Sequence, residues 1–224
     1  MPDAATPITI AIAGGATVSG LLDAPASARA CYVLAHGAGA GMKHPFLAAA
    51  AAGLAERGIA TLRYQFPYME RGSKRPDSPK VAHAAVRAAV EEAARRLPGV
   101  QLFAGGKSFG GRMTSQAQAE AALSGVRGLA FLGFPLHAPG QPSSERAAHL
   151  AKVTVPMLFL QGSRDDFAKL EFLHPVIAGL GQRATLKLFE DADHSFHVPA
   201  RSGRTDREVM GQVLDQLGEW MRGL

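Results

Sequence analysis

Apolar residues fall in short compact blocks, and between the blocks the pattern changes to a helical period. Near the start, two alternating runs, Ile8 to Ala13 and Ala16 to Leu22, flank Gly14-Gly15 and predict a hairpin. Six apolar runs follow, at residues 31–35, 59–63, 100–104, 128–132, 155–160 and 184–189. They are short and do not alternate, as expected of parallel strands buried on both faces.

The segments between them carry helix signals. Ser78-Pro79 offers an N-cap with proline at the first helical position. Val86, Val90, Ala93 and Leu97 then recur at helical spacing until Pro98-Gly99. Thr205-Asp206-Arg207-Glu208 reads as a capping box, followed by the stripe Val209, Val213, Leu217, Trp220 and Leu224. An alanine run, Ala48 to Ala52, sits inside a third candidate helix between Pro45 and Gly58. Alternating strands and helices imply an α/β fold: a mostly parallel sheet with helices on both faces, whose ligands bind beyond the carboxyl ends of the strands. Residues 1–224 read as one domain without repeat or linker.

Composition narrows the function classes. Of 224 residues, 47% are hydrophobic, enough for a full core. The start, Met1-Pro2-Asp3-Ala4, lacks a basic region leading into an apolar one, and no apolar run approaches the ~20 residues that cross a bilayer. A cytoplasmic protein without a membrane partner is the expectation. The single cysteine, Cys31, lies within an apolar run and is expected to be a buried, inert thiol. The formal charge of +5 and the basic cluster Arg71, Lys74, Arg75 and Lys80 come with no nucleic-acid motif. That cluster reads as a solvated loop, with attraction of anionic substrates to a nearby pocket as the sharper alternative.

Candidate chemistry begins at Gly106-Lys107-Ser108-Phe109-Gly110, a G-x-S-x-G pattern placed after an apolar run and before a helical segment. The pattern alone is weak in a chain with 25 glycines, so its context carries the argument. A serine hydroxyl needs a neutral imidazole to take its proton and a carboxylate to orient that imidazole. After the run ending at Leu160 comes Gln161-Gly162-Ser163-Arg164-Asp165-Asp166, and after the last run comes Asp191-Ala192-Asp193-His194. Asp165, three residues after Gly162, is the favoured acid, with Asp166 as the alternative, and His194 is the candidate base. His197 makes a metal pair with His194 conceivable, but no third ligand has suitable spacing, so no metal and no cofactor are expected.

A developing oxyanion requires preorganised donors. One is expected from the backbone N–H of Phe109. The second is expected from the loop His36-Gly37-Ala38-Gly39-Ala40, with Ala38 first and Gly39 second. The side chain of His36 reads as a loop brace.

With these residues in place, the chain resembles α/β-hydrolases of the compact type similar to dienelactone hydrolases, over nearly its whole length. His36-Gly37-Ala38-Gly39-Ala40, Phe66-Pro67-Tyr68-Met69, Gly105-Gly106-Lys107-Ser108-Phe109-Gly110-Gly111-Arg112-Met113, Pro135-Leu136-His137 and Asp193-His194-Ser195-Phe196 resemble, more narrowly, bacterial members of one family. That family includes testis-expressed proteins and a subunit of the nonspecific-lethal histone acetyltransferase complex. Dienelactone hydrolases carry a cysteine nucleophile, whereas this elbow holds Ser108.

Only about twenty residues separate the fourth and fifth candidate parallel strands, too few for a helical cap, so the site is expected to be open. Gly37, Gly39, Phe66, Pro67, Tyr68 and His137 are pocket candidates, ordinary loop packing being the alternative for the aromatic and apolar ones. Lys107 and Arg112 read as exposed or salt-bridged charges. The expected activity is a serine hydrolase acting on small ester or acyl substrates. The alternatives are an acyl transferase or thioesterase on the same residues, and a catalytically idle interaction module. Oligomeric state is not legible.

Overall fold

The structure, a computed structural model, describes residues 5–224; the opening four residues lie outside it. The elements run β1 (Thr6–Ala11), β2 (Thr17–Asp23), β3 (Ala30–Ala35), α1 (Pro45–Glu56), β4 (Ile59–Tyr64), a short helical turn α2 (Pro67–Glu70), α3 (Pro79–Arg96), β5 (Gln101–Lys107), α4 (Phe109–Glu120), β6 (Val126–Leu132), β7 (Met157–Gly162), α5 (Leu170–Leu180), β8 (Ala184–Phe189) and α6 (Asp206–Arg222). They build an eight-stranded sheet in the order β1-β2-β4-β3-β5-β6-β7-β8. Strands β4 through β8 and β3 are parallel, and β2 runs against its neighbours β1 and β4. Gly14 and Gly15 make the hairpin turn with φ of +94° and +88°, a region open to glycine at no steric cost.

Side chains of β3 alternate between the two faces of the sheet. Cys31, Val33 and Ala35 join the layer under α3, α4 and α5, while Tyr32 and Leu34 join the layer under α1 and α6. Cys31 is fully buried, and burial pushes its thiol up to about 12, so it stays protonated and inert. The capping box of α6 forms as expected: Glu208 N donates to Thr205 Oγ1 at 3.2 Å, and Thr205 N to Glu208 Oε2 at 2.7 Å. Ser78 occupies the N-cap of α3, but its hydroxyl makes no capping bond there; proline at the next position supplies the start. Strand β8 differs from expectation, since it is one edge of the sheet with Leu188 39% exposed, whereas β3, β4 and β7 are buried throughout.

Two features place a site. Strands β3 and β5 are neighbours, yet the chain leaves them toward opposite sides of the sheet, so their carboxyl ends flank a crevice. Between β6 and β7 the described chain forms a 3-10 segment, Glu145–Lys152, and no α-helix that could serve as a cap.

Candidate active site

Ser108 stands between β5 and α4 with φ of 51° and ψ of −118°. The sharp turn brings three glycines against backbone. A Cβ on Gly106 would lie 2.4 Å from the carbonyl oxygen of Ala35, and one on Gly110 would lie 2.6 Å from the carbonyls of Ala35 and His36. A Cβ on Gly105 would lie 1.8 Å from Ala130 O. Glycine is thus a steric requirement wherever this turn crosses its neighbours, and the serine carries strain of about 1–3 kcal/mol.

Three side chains far apart in sequence meet above the turn. Ser108 Oγ is 2.8 Å from His194 Nε2, and His194 Nδ1 is 2.7 Å from Asp165 Oδ2. Asp166, the alternative acid, is exposed and makes no such contact. The fully buried side chain of Asp165 also accepts from Phe167 N at 2.7 Å and from the amide of Gln161, whose own oxygen accepts from Phe134 N at 2.8 Å. The carboxylate is therefore held on both oxygens.

The acid and histidine loops are stitched together. A Cβ on Gly162 would lie 2.3 Å from Ala192 O, and Arg164 N donates to that same carbonyl at 2.9 Å. Asp193 Oδ1 accepts from Ser195 N and His197 N at 2.7 and 2.9 Å, closing the turn that presents His194. His197 turns outward to Asp206, 2.9 Å away. Among the described residues no group of three or more His, Cys, Asp or Glu is placed to hold a metal.

Burial is the main cause holding His194 below the ordinary histidine range; Asp165 opposes it, and the Lys107 charge adds to it. Lys107 departs from the sequence reading, being neither exposed nor salt-bridged. It is 8% exposed, its ammonium donates to His194 O at 2.6 Å, and it lies 5.7 Å from the centre of the Phe46 ring. Burial brings its pKa down to about 8.

The β3 loop is braced from behind. Phe66 N–H donates to His36 Nε2 at 3.0 Å, which fixes the tautomer and leaves Nδ1–H to donate to Gly37 O at 2.7 Å. Burial lowers the pKa of His36 to about 4, so the ring is neutral. Gly39 N–H is taken by Tyr68 Oη at 2.9 Å. The N–H groups of Ala38 and Phe109 take no part in the loop and turn hydrogen bonds around them.

Ser108 opens on two clefts. One of ≈ 350 Å³ is lined by Phe109, Arg112, Met113, Pro135, Arg146 and Phe167, among others. The other, of ≈ 330 Å³, lies on the His194 side and includes Gly37, His44, Phe46, Lys107 and Ser195. Ala38, Ser108 and Phe167 belong to both.

Phe66, Pro67, Tyr68, Gly39 and His137 line neither cleft. Phe66 and Tyr68 pack edge-on against Phe109, at 5.4 and 6.5 Å between ring centres, and support the wall from beneath. His137 is buried, with Nε2 accepting from Lys169 N at 3.1 Å and Nδ1 2.9 Å from Ala138 O, and so holds the segment after Asp165. For Tyr68 and His137 the cause is the same: backbone amides in tight loops need partners, and the Tyr68 hydroxyl takes Gly39 N–H while the His137 imidazole takes Lys169 N–H. Phe167, whose ring centre is 4.3 Å from that of His194, and Gln161 were not singled out from sequence. The only sequence signal for either is proximity to Asp165.

The fold and the comparisons agree. A dienelactone hydrolase from Anabaena variabilis superposes with a TM-score of 0.79 at 18% identity, over 100% of this chain and 99% of that one. An α/β serine hydrolase without lid from Xanthomonas campestris gives 0.76 at 21% identity, over 98% and 96%. The esterase domain of a Rhodothermus marinus protein gives 0.73 at 16% identity, over 97% and 98%. At these identities the likeness is one of fold. The model of the alpha/beta hydrolase domain family matches residues 28–222, which takes in every strand from β3 onward and all the residues that meet above the elbow, and the chain belongs to that family.

Proposed function

We propose that the protein is a serine hydrolase that cleaves small carboxylic esters or related acyl compounds through an acyl-enzyme. The observation that carries this reading is the hydrogen-bonded chain from Ser108 through His194 to Asp165 at a strained, glycine-flanked turn. Ser108 attacks the carbonyl carbon while His194 Nε2 takes its proton. Asp165 keeps the proton on Nδ1 and stabilises the imidazolium. The N–H groups of Phe109 and Ala38 receive the oxyanion; Gly39 is less suited because its N–H is engaged by Tyr68. His194 then protonates the leaving oxygen, and water repeats the sequence to free Ser108.

This proton path assigns the two clefts. The leaving group must lie within reach of His194, hence in the cleft with His44, Phe46 and Lys107. The acyl chain then occupies the cleft with Phe109, Arg112, Met113 and Arg146. With no α-helix between β6 and β7 among the described residues, the reading favours short acyl chains over long lipids. The narrower kinship with bacterial relatives of the testis-expressed proteins and the nonspecific-lethal subunit rests on the sequence motifs and belongs to the same proposal.

A fluorophosphonate probe tests the mechanism directly. Wild type is expected to be labelled and Ser108→Ala to be blank; equal labelling of both, or none of either, overturns it.

A further inference from the structure

The acyl cleft contains charge that the hydrolytic mechanism does not use. Arg112 lies one helical turn beyond Ser108 on α4, half-buried, with its Cζ 5.9 Å from the centre of the Phe109 ring. Its Nε is buried without a partner, and the guanidinium forms no side-chain hydrogen bond or ion pair among the described residues. The other half-buried arginines that reach a partner show the contrast: Arg57 pairs with Asp215 at 2.7 Å and Arg87 donates to Ala121 O at 2.9 Å, while the buried Arg63, whose Nε also lacks a partner, still has a counter-charge in Asp23 at 3.0 Å. Arg146, from the 3-10 segment, also lines the cleft, and after burial its charge is the second cause lowering the Arg112 pKa. The pair is held together by structure. Ser115 Oγ on α4 and His149 Nε2 on the 3-10 segment are 2.8 Å apart, which ties the element bearing Arg146 to the one bearing Arg112.

We propose that Arg112 and Arg146 form an anion subsite in the acyl cleft, and that the acyl group cleaved ends in an oxyanion such as a carboxylate. The location within the acyl cleft rests on the hydrolase reading above. Two guanidiniums brought together at a half-buried place, neither with an ion-pair partner among the described residues, are unfavourable until an anion arrives, and their forked donors match an oxyanion. Asp77 also lines the cleft, but it is paired with Arg71, while its Oδ2 is buried without a partner. Lys74, Arg75 and Lys80, all exposed on the chain around that rim, add a positive field that draws anions toward it.

The test compares the 4-nitrophenyl half-ester of adipate with its methyl-capped diester, equal in reach but uncharged. Wild type is expected to favour the half-ester in kcat/KM by at least about tenfold, the scale of one charge-assisted hydrogen bond. That ratio should fall toward one in Arg112→Gln and drop severalfold in Arg146→Gln. A wild-type ratio of one or less, or a ratio unchanged in both variants, overturns the subsite. Arg146→Gln carries the comparison if Arg112→Gln does not fold. Thermal melting of Ser108→Ala with adipate or with inorganic phosphate reads the subsite without turnover. Either anion should raise the midpoint, and Arg112→Gln or Arg146→Gln in that background should abolish the shift. If wild type cleaves neither ester, the hydrolase reading fails, and absence of any thermal shift then overturns the subsite as well.

Discussion

Replacing Lys107 by methionine should move the acid limb of the activity profile to higher pH. The ammonium donates to His194 O, and a Cβ built on Gly133 would lie 3.0 Å from Nζ and 3.3 Å from His194 Cε1. Cation and imidazole are therefore no more than about 6 Å apart, where two like unit charges repel by about 0.7 kcal/mol in bulk water and about 3 kcal/mol at an effective dielectric near 20. In the proposed mechanism His194 acts as a neutral base, so activity should be lost as pH falls through its pKa, which burial and Lys107 both hold below the ordinary value. Removing the charge takes away one of those causes, and the midpoint should rise by about 0.5–2 pH units. Methionine keeps an apolar stem against Phe46, and Lys107→Arg retains the charge as the comparison. The assay is kcat/KM for a neutral 4-nitrophenyl ester from pH 4.5 to 8. An acid limb in Lys107→Met that stays in place, or moves to lower pH, would refute the electrostatic argument.

Two further substitutions probe the elbow and its support. Gly106→Ala sets a Cβ against the Ala35 carbonyl, at a backbone φ of +156°, and should cost about 3 kcal/mol or more, read as a lower urea midpoint; an unchanged midpoint would mean that the turn relaxes freely. Tyr68→Phe removes the hydroxyl that holds Gly39 N–H and should lower stability by about 1 kcal/mol. It should also reduce kcat more than it raises KM, because the freed loop presents Ala38 less well to the oxyanion; a change confined to KM would count against this.

A half-buried pair of arginines and a buried lysine near Ser108 give the site an electrostatic character that its three hydrogen-bonded side chains do not convey. Lys107 biases the histidine toward its neutral form from the cleft with His44 and Phe46, and Arg112 with Arg146 lines the other cleft. The same strand-turn-helix unit, β5 to α4, supplies the serine, the lysine before it and the first of the two arginines.

Much of this was written locally. The apolar runs from 31–35 to 155–160 announced the parallel strands because a strand covered on both faces has no polar side to show, and the Thr205 box announced α6 because capping is settled within four residues. Ser108, Asp165 and His194 could be named as candidates because each lies at or within five residues of the carboxyl end of a strand, and a parallel sheet delivers such positions to one edge. The sequence could not place Tyr68, His137 and Phe66 behind the wall, nor Lys107 beneath the histidine loop, because each depends on which backbone amide or carbonyl of a distant segment stands opposite. It favoured Asp165 over Asp166 from the spacing to Gly162, and the fold gives the two carboxylates opposite fates, Asp165 buried against His194 and Asp166 exposed. Local chemistry and periodicity therefore determined the elements and their order, and tertiary packing decided which side chains meet, because partner and burial are properties of space that neighbours in the chain do not share.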